Sequence, residues 1–162
     1  MFYRKWCVVI NMPLKPWEYE SYDEKLYSLY QEYINDENVL KKVLKKEDDM
    51  LVKAHASHLL FALNNLPPDG DVMYEFLRDN VGLSEVDATA LMFAGAENIE
   101  LMESEKRRYY NAPKRSEAEV YSYASSKTKI KMIIRSILPW IIIIFVMFMI
   151  FAFGVSRGLQ GL

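Results

Sequence analysis

The two histidines of the chain, His55 and His58, are the side chains best suited to bind a metal ion. They stand three residues apart, a spacing that places both imidazoles on one side of a helix. A third ligand would have to come from the acids at 47–49 or from a distant part of the chain, and nothing at ligand spacing completes the set. The sequence therefore predicts a partly buried helix face here, with neither a metal nor another cofactor.

Other residue patterns that could carry chemistry are incomplete. The single cysteine, Cys7, has no motif near it that would supply a base. A calcium loop starting at Asp69 would need glycine sixth and glutamate twelfth, and the chain has Tyr74 and Asn80 there. The sequence also lacks a Gly-rich phosphate loop, a G-x-S-x-G elbow and an H-E-x-x-H motif. We therefore expect that the chain is not an enzyme; a membrane enzyme that uses the two histidines is the alternative.

Tyrosine is abundant in the chain, with 11 residues, and many of them are grouped. Tyrosine buries a large area at a low cost in conformational entropy and is enriched at protein interfaces. The half-exposed positions of a small domain would accept the same residues. We predict partner contacts for two groups, one in the first helix and one near residue 110: Tyr27, Tyr30, Tyr33, Tyr109 and Tyr110.

Residues 137–155 contain no charged and no strongly polar side chain. A helix of this length spans roughly 28 Å, which matches a hydrocarbon core of about 30 Å. The segment is apolar all round, whereas a helix at the edge of a soluble core would have a polar face. It is predicted to be a transmembrane helix, with Trp140 at the lipid–water boundary. Pro139 fits the first turn of such a helix, or would kink a helix that starts upstream near Lys129.

Charge is distributed unevenly along the chain. All 22 acidic residues lie at or before Glu119, and five basic residues follow it. An acidic body on a basic stem is unsuited to binding nucleic acid. The positive-inside rule places the body on the cytoplasmic or matrix side, because most of the flanking basic residues precede the span. The residues expected at the membrane interface, the basic ones in contact with anionic lipid headgroups, are Lys127, Lys129, Lys131, Arg135, Trp140 and Arg157.

The rest of the chain has apolar residues at helical spacings and no sustained strand alternation, so the fold class is predicted to be all-α. A break is predicted at 64–70 and a short helix at 72–78, and Ser84 and either Asp48 or Asp49 have the positions of N-caps. The predicted domains are an extended N-terminal segment 1–21, an irregular helical body 22–115, a basic juxtamembrane stem 116–136, the transmembrane helix 137–155 and a short tail 156–162.

One span, an incomplete set of catalytic residues and a small helical body favour a non-catalytic accessory subunit of a multi-subunit membrane complex. A respiratory-chain or ATP-synthase assembly of the mitochondrial inner membrane is the favoured complex, and its other subunits are the expected partners. Because the first residues lack serine and include Pro13 and Pro16, a cleaved presequence is not expected. The alternative is a tail-anchored adaptor on a cytosol-facing membrane, either the endoplasmic reticulum or the outer mitochondrial membrane.

Overall fold

A computed structural model describes residues 13–116, 119 and 122–159, with side chains as far as residue 150. Within this part of the chain the regular structure is helical, apart from one isolated antiparallel bridge between Tyr19 and Ala124. The all-α prediction is therefore confirmed. The chain divides into two compact units, the body Met1–Ala124 and the C-terminal unit Ser125–Leu162.

The described residues form seven α-helices, preceded by a short 3-10 turn at Pro16–Glu18. Their bounds are α1 (Tyr22–Glu32), α2 (Glu37–Lys46), α3 (Met50–Leu63), α4 (Gly70–Glu75), α5 (Glu85–Glu97), α6 (Ile99–Tyr110) and α7 (Ser126–Leu159). The predicted break at 64–70 corresponds to residues 64–69 between α3 and α4, and Gly70 is already the first residue of α4. The first six helices belong to the body, and α7 belongs to the C-terminal unit.

Short polar side chains begin four of the six helices of the body. Asp36, Asp49 and Asp69 accept hydrogen bonds of 2.9–3.4 Å from backbone N–H groups in the first turns of α2, α3 and α4. Ser84 accepts one of 3.1 Å from the N–H of Asp87 at the start of α5. These bonds satisfy N–H groups that have no partner within the helix. The N-caps predicted at Asp49 and Ser84 are confirmed.

The helix predicted over 72–78 is longer in the structure. Its N-cap lies directly before Gly70, and the helix continues beyond its α-helical part as a π-helical turn, Phe76–Val81. Three apolar residues of this turn are buried in the core. The turn ends at Gly82, which has a φ of 76°. The wider π turn therefore extends the helix while it keeps these apolar residues in the core.

Helix α3 lies at the centre of the body and packs against α1, α2 and α5. It is surrounded by neighbours, so most of its side chains are buried: Val52, Ala54, His55, Ala56, Ser57, Leu59, Leu60 and Phe61. Helix α2 is amphipathic instead, with one buried stripe formed by Val39, Leu40, Val43 and Leu44. The central position of α3 carries one ionisable side chain, His55, into the core.

The predicted N-terminal boundary requires correction. Residues 1–12 of the predicted extended segment lie outside the described residues. From residue 13 onwards the segment packs onto the body, because Leu14 and Pro16 are buried and a 3-10 turn follows. Ser28 of α1 donates a hydrogen bond of 2.9 Å to the carbonyl of Leu14. This part of the chain therefore belongs to the body.

The predicted boundaries of the stem and the span also change. Helix α7 begins at Ser126, well before the predicted start of the span, with Ser125 as its N-cap. Apolar residues alternate with the lysines in this stretch and nothing breaks the helix, so most of the stem is helical. Pro139 lies inside the helix and not in its first turn, so of the two predicted starts the upstream one is correct. The helix continues to Leu159, beyond its predicted end.

The substitution Gly82→Ala is expected to lower the free energy of unfolding by about 1–2 kcal/mol, because an L side chain is strained in the left-handed region. Space is not limiting there, since an added Cβ would meet only Nζ of Lys45, at 3.5 Å. Gly70→Ala is the matched control: no atom lies within 4 Å of its added Cβ, and φ is not positive. It is expected to raise stability by about 0.4–1 kcal/mol. Urea denaturation of the full chain in detergent measures both, and equal effects would contradict the prediction.

Candidate functional site

The imidazole of His55 is fully buried and belongs to a hydrogen-bond network that joins three helices. Its Nδ1 lies 2.7 Å from the hydroxyl oxygen of Tyr30 on α1. Its Nε2 lies 2.9 Å from Oε2 of Glu105 on α6. Tyr22 of α1 donates a further hydrogen bond of 2.8 Å to the same carboxylate oxygen. The network therefore connects α1, α3 and α6 inside the body.

The donors and acceptors in this network follow from the chemistry of its groups. A carboxylate only accepts, so Nε2 of His55 carries the proton that is donated to Glu105, and Nδ1 accepts from the hydroxyl of Tyr30. Burial lowers the pKa of His55, although the carboxylate of Glu105 acts in the opposite direction. Burial also raises the pKa of Tyr30. Both side chains are therefore neutral, and both nitrogens of the imidazole are hydrogen-bonded.

The second histidine, His58, lies beside α5. Helix α5 approaches it closely, because a Cβ added at Gly95 would be 3.2 Å from its Nε2. Burial lowers the pKa of His58, and the nearby His55 and Lys106 lower it further. Since both nitrogens of His55 are occupied, the pair does not offer two free nitrogens to one metal ion. Among the described residues, no group of three His, Cys, Asp or Glu side chains is arranged to hold a metal.

Four of the five tyrosines that were predicted to contact a partner lie in the interior of the body: Tyr27, Tyr30, Tyr33 and Tyr109. Each of their hydroxyls hydrogen-bonds to another part of the body, namely Tyr27 to the Pro113 carbonyl, Tyr30 to His55, Tyr33 to the Pro13 carbonyl and Tyr109 to Asp23. A buried tyrosine needs such a partner for its hydroxyl. The structure thus corrects the expectation for these four residues, which join segments of the body and form no exposed surface.

The fifth tyrosine, Tyr110, is 61% exposed. It lines a shallow depression on α6 together with Glu103 and Lys106. The same two charged residues border a cleft of about 270 Å³ between α3 and α6, which has a mostly apolar lining: Leu59, Phe61, Ala62, Leu66, Met73, Ile99 and Met102. Small-molecule sites usually have about 300–1,000 Å³, so this cleft is suited to an apolar side chain. Contact between Tyr110 and a partner stays a prediction.

Helix α5 has exposed apolar side chains on the side that points away from the core. Val86 is 78% exposed and Phe93 is 64% exposed, and Ala90 is exposed between them. We call the stripe Val86, Ala90 and Phe93 the outer face of α5. The opposite side of the helix is buried, at Ala88, Leu91 and Gly95. A surface helix ordinarily has polar residues outward, so this apolar stripe is a candidate surface for binding another molecule.

All six predicted membrane-interface residues belong to α7, and side chains are described for five of them: Lys127, Lys129, Lys131, Arg135 and Trp140. The side chain of Arg157 lies outside the described residues. The stretch Ser126–Ile150 is long and apolar enough to cross a membrane, and none of its most apolar part is buried. Contacts of these residues with lipid headgroups stay a prediction.

Sequence reasoning missed Glu105, the acceptor for both His55 and Tyr22. Its spacing did carry a signal, because Met102, Glu105 and Tyr109 stand three and four residues apart and share one side of α6. An acid between two apolar residues at that spacing predicts a polar partner inside the body. The outer face of α5 was missed as well. Apolar residues on both sides of that helix hide the one-sided pattern on which such reasoning depends.

The stability of the body is expected to fall as the pH is lowered below about 6.5, the usual pKa of histidine in an unfolded chain. Because the pKa of His55 is lower in the folded state, the unfolded chain binds the proton first. The free energy of unfolding therefore rises with pH between the folded and unfolded pKa values and is fully present above both. Denaturation curves at a series of pH values measure this slope.

The variant His55→Gln should reduce the pH dependence and also lower stability by about 1–3 kcal/mol, because Tyr30 and Glu105 lose a fitted partner. His58→Gln is the matched control. It should remove only the part of the pH dependence of stability that comes from His58, whose pKa is also lowered. If the stability of His55→Gln changed with pH as steeply as that of the parent chain, the buried imidazole would not titrate as described.

Comparison with known proteins gives no match: no family model matches the chain, and neither a curated protein nor a solved structure is significantly similar to it.

Proposed function

We propose that the chain is a single-pass membrane protein and a non-catalytic accessory subunit of a membrane protein complex. One observation carries the membrane part of the proposal. Between residues 137 and 150, α7 exposes large apolar side chains around its whole circumference. Lipid would remove this apolar area from water, which is favourable. A helix can enter lipid because its backbone polar groups are paired within it.

The length of the apolar helix also supports this proposal. The stretch Ser126–Ile150 has 25 residues, which as a helix measures about 38 Å. A hydrocarbon core is about 30 Å thick, so the first turns of the helix would lie among the headgroups. Those turns carry Lys127, Lys129 and Lys131, and each such charge contributes about 1 kcal/mol at an anionic surface. The basic flank supports a body on the cytoplasmic or matrix side. We favour the mitochondrial inner membrane only because the proposed class of protein, a single-span accessory subunit, fits the complexes of that membrane.

The accessory role is supported by where the polar and apolar groups of the body lie. The side chains best suited to act as acids, bases or ligands are paired with one another inside the core: His55, Tyr30 and Glu105. The outer face of α5 presents apolar side chains to the outside. Such a surface is suited to binding another protein. A partner held in the same membrane would meet it at a high effective concentration.

Replacing Ile143 and Phe148 together by arginine is expected to abolish membrane integration. Each arginine adds about 2.5–3.5 kcal/mol to the cost of insertion near the middle of a span. Ile130→Arg is the matched control, because residue 130 lies in the basic first turns and its exposed fraction, 57%, falls between those of Ile143 (47%) and Phe148 (66%). Alkaline carbonate extraction separates integrated from peripheral chains. Full retention of the double variant in the membrane pellet would remove the anchor from the proposal.

Mild detergent extraction, native electrophoresis and mass spectrometry of the co-migrating proteins test the accessory role directly. We expect stable co-migration with subunits of a multi-subunit membrane complex, and respiratory-chain or ATP-synthase subunits would identify the favoured assembly. Migration alone, or with soluble cytosolic proteins only, would contradict the accessory role and support a membrane-anchored adaptor.

A further inference from the structure

Helix α5 is apolar on two opposite sides, and only one of them is used by the body. At 100° per residue, the buried residues Ala88, Leu91 and Gly95 form one stripe along the helix. The outer face, Val86, Ala90 and Phe93, lies about half a turn away from that stripe. The two largest side chains of the outer face are mostly exposed, so this face contributes little to the core. A requirement other than folding therefore explains its apolar character.

The outer face of α5 is bordered by acidic residues. Residues 82–102 contain four acids, Glu85, Asp87, Glu97 and Glu100, all of them exposed, and neither lysine nor arginine. Glu85 and Asp87 are exposed on either side of Val86, and Glu97 is exposed one turn beyond Phe93. An uninterrupted run of one charge sign gives this surface a negative potential, which attracts cationic and repels anionic partners.

The charge of this border decides among the classes of occupant. An anionic leaflet and a nucleic acid are both disfavoured, because their phosphates would be repelled. A second copy of the chain is disfavoured too, since a twofold contact places the same surface on both sides and brings the two sets of acids together. The remaining class of occupant is a protein segment that combines apolar and basic side chains.

We propose that the outer face of α5 binds an amphipathic helix of a partner protein, whose apolar stripe is flanked by lysine and arginine. This inference rests on the proposed function, because it requires that the body binds another protein. It adds which kind of protein segment that partner presents. Val86 and Phe93 are two turns apart, about 10.5 Å along the helix, which matches the apolar repeat of a partner helix. The small side chain of Ala90 between them leaves room for one large apolar residue of the partner.

Two synthetic helical peptides with the same leucine pattern test this inference. One carries lysine and the other glutamate at the positions that flank the leucines. Each is titrated, by fluorescence anisotropy, into the full chain held in phosphatidylcholine nanodiscs, with empty nanodiscs as the blank. Only the lysine peptide is expected to bind the chain. Raising the ionic strength from about 0.1 M to about 1 M shortens the screening length from about 10 Å to about 3 Å and should weaken that binding.

Two serine variants distinguish a specific site from general attraction between opposite charges. Phe93→Ser is expected to weaken binding of the lysine peptide about tenfold, as the loss of a buried aromatic anchor does at other interfaces. Tyr123→Ser is the matched control, because its aromatic side chain is also exposed, at 47% against 64% for Phe93, and lies outside α5. It should leave the affinity unchanged. Both variants should unfold at the same urea concentration as the parent chain.

Equal affinity for the two peptides would overturn the inference, as would an affinity that Phe93→Ser leaves unchanged. Self-association of the parent chain that Phe93→Ser abolishes would assign the surface to a second copy instead. Carbonate extraction and native electrophoresis of the Phe93→Ser chain keep this test separate from that of the proposed function. If the parent chain inserts and assembles but ignores the lysine peptide, the partner chemistry is wrong and the accessory role stands.

Discussion

A fully buried imidazole needs a hydrogen-bonding partner at each nitrogen, and in this protein that requirement positions α1 and α6 around α3. A buried polar group without its partner costs about 1–3 kcal/mol, against a total stability of about 5–15 kcal/mol for a typical domain. Tyr30 and Glu105 supply the two partners of His55, and Tyr22 hydrogen-bonds to the same carboxylate. Apolar packing alone would tolerate small shifts of these helices. Directional bonds to a ring at the centre of the body restrict such shifts.

Two of the helix starts were predictable because local chemistry determines them. A carboxylate or hydroxyl at an N-cap satisfies N–H groups a few residues along the same chain, so Asp49 and Ser84 could be identified without knowing the fold. The apolar C-terminal helix was predictable for a similar reason, since its length and composition are properties of one continuous segment. Its start at Ser126 was less clear, because a basic stretch with interleaved apolar residues is compatible with either a helix or an irregular stem.

The tertiary features could not be predicted from the sequence to the same extent. Tyr109 and Tyr110 are neighbours of one type, yet one is buried and the other exposed, because packing of α6 against α1 decides which side faces inward. Pairing His55 with Glu105 depends on contact between residues fifty positions apart. The π-helical turn at Phe76–Val81 likewise depends on the core that its apolar residues enter, and no pattern local to that segment indicates it.

If a partner covers α5 as proposed, the exposed Val86 and Phe93 have a consequence for a molecule that has been made but is not yet bound. Its core is complete, so it is folded, and yet it keeps two large apolar side chains in water. Chaperones and quality-control proteases act on chains that expose apolar surface, and a folded but unbound copy would present them with apolar surface at α5. Copies synthesised in excess would be removed in preference to assembled ones. The cellular amount of this protein would then follow the amount of whatever covers α5.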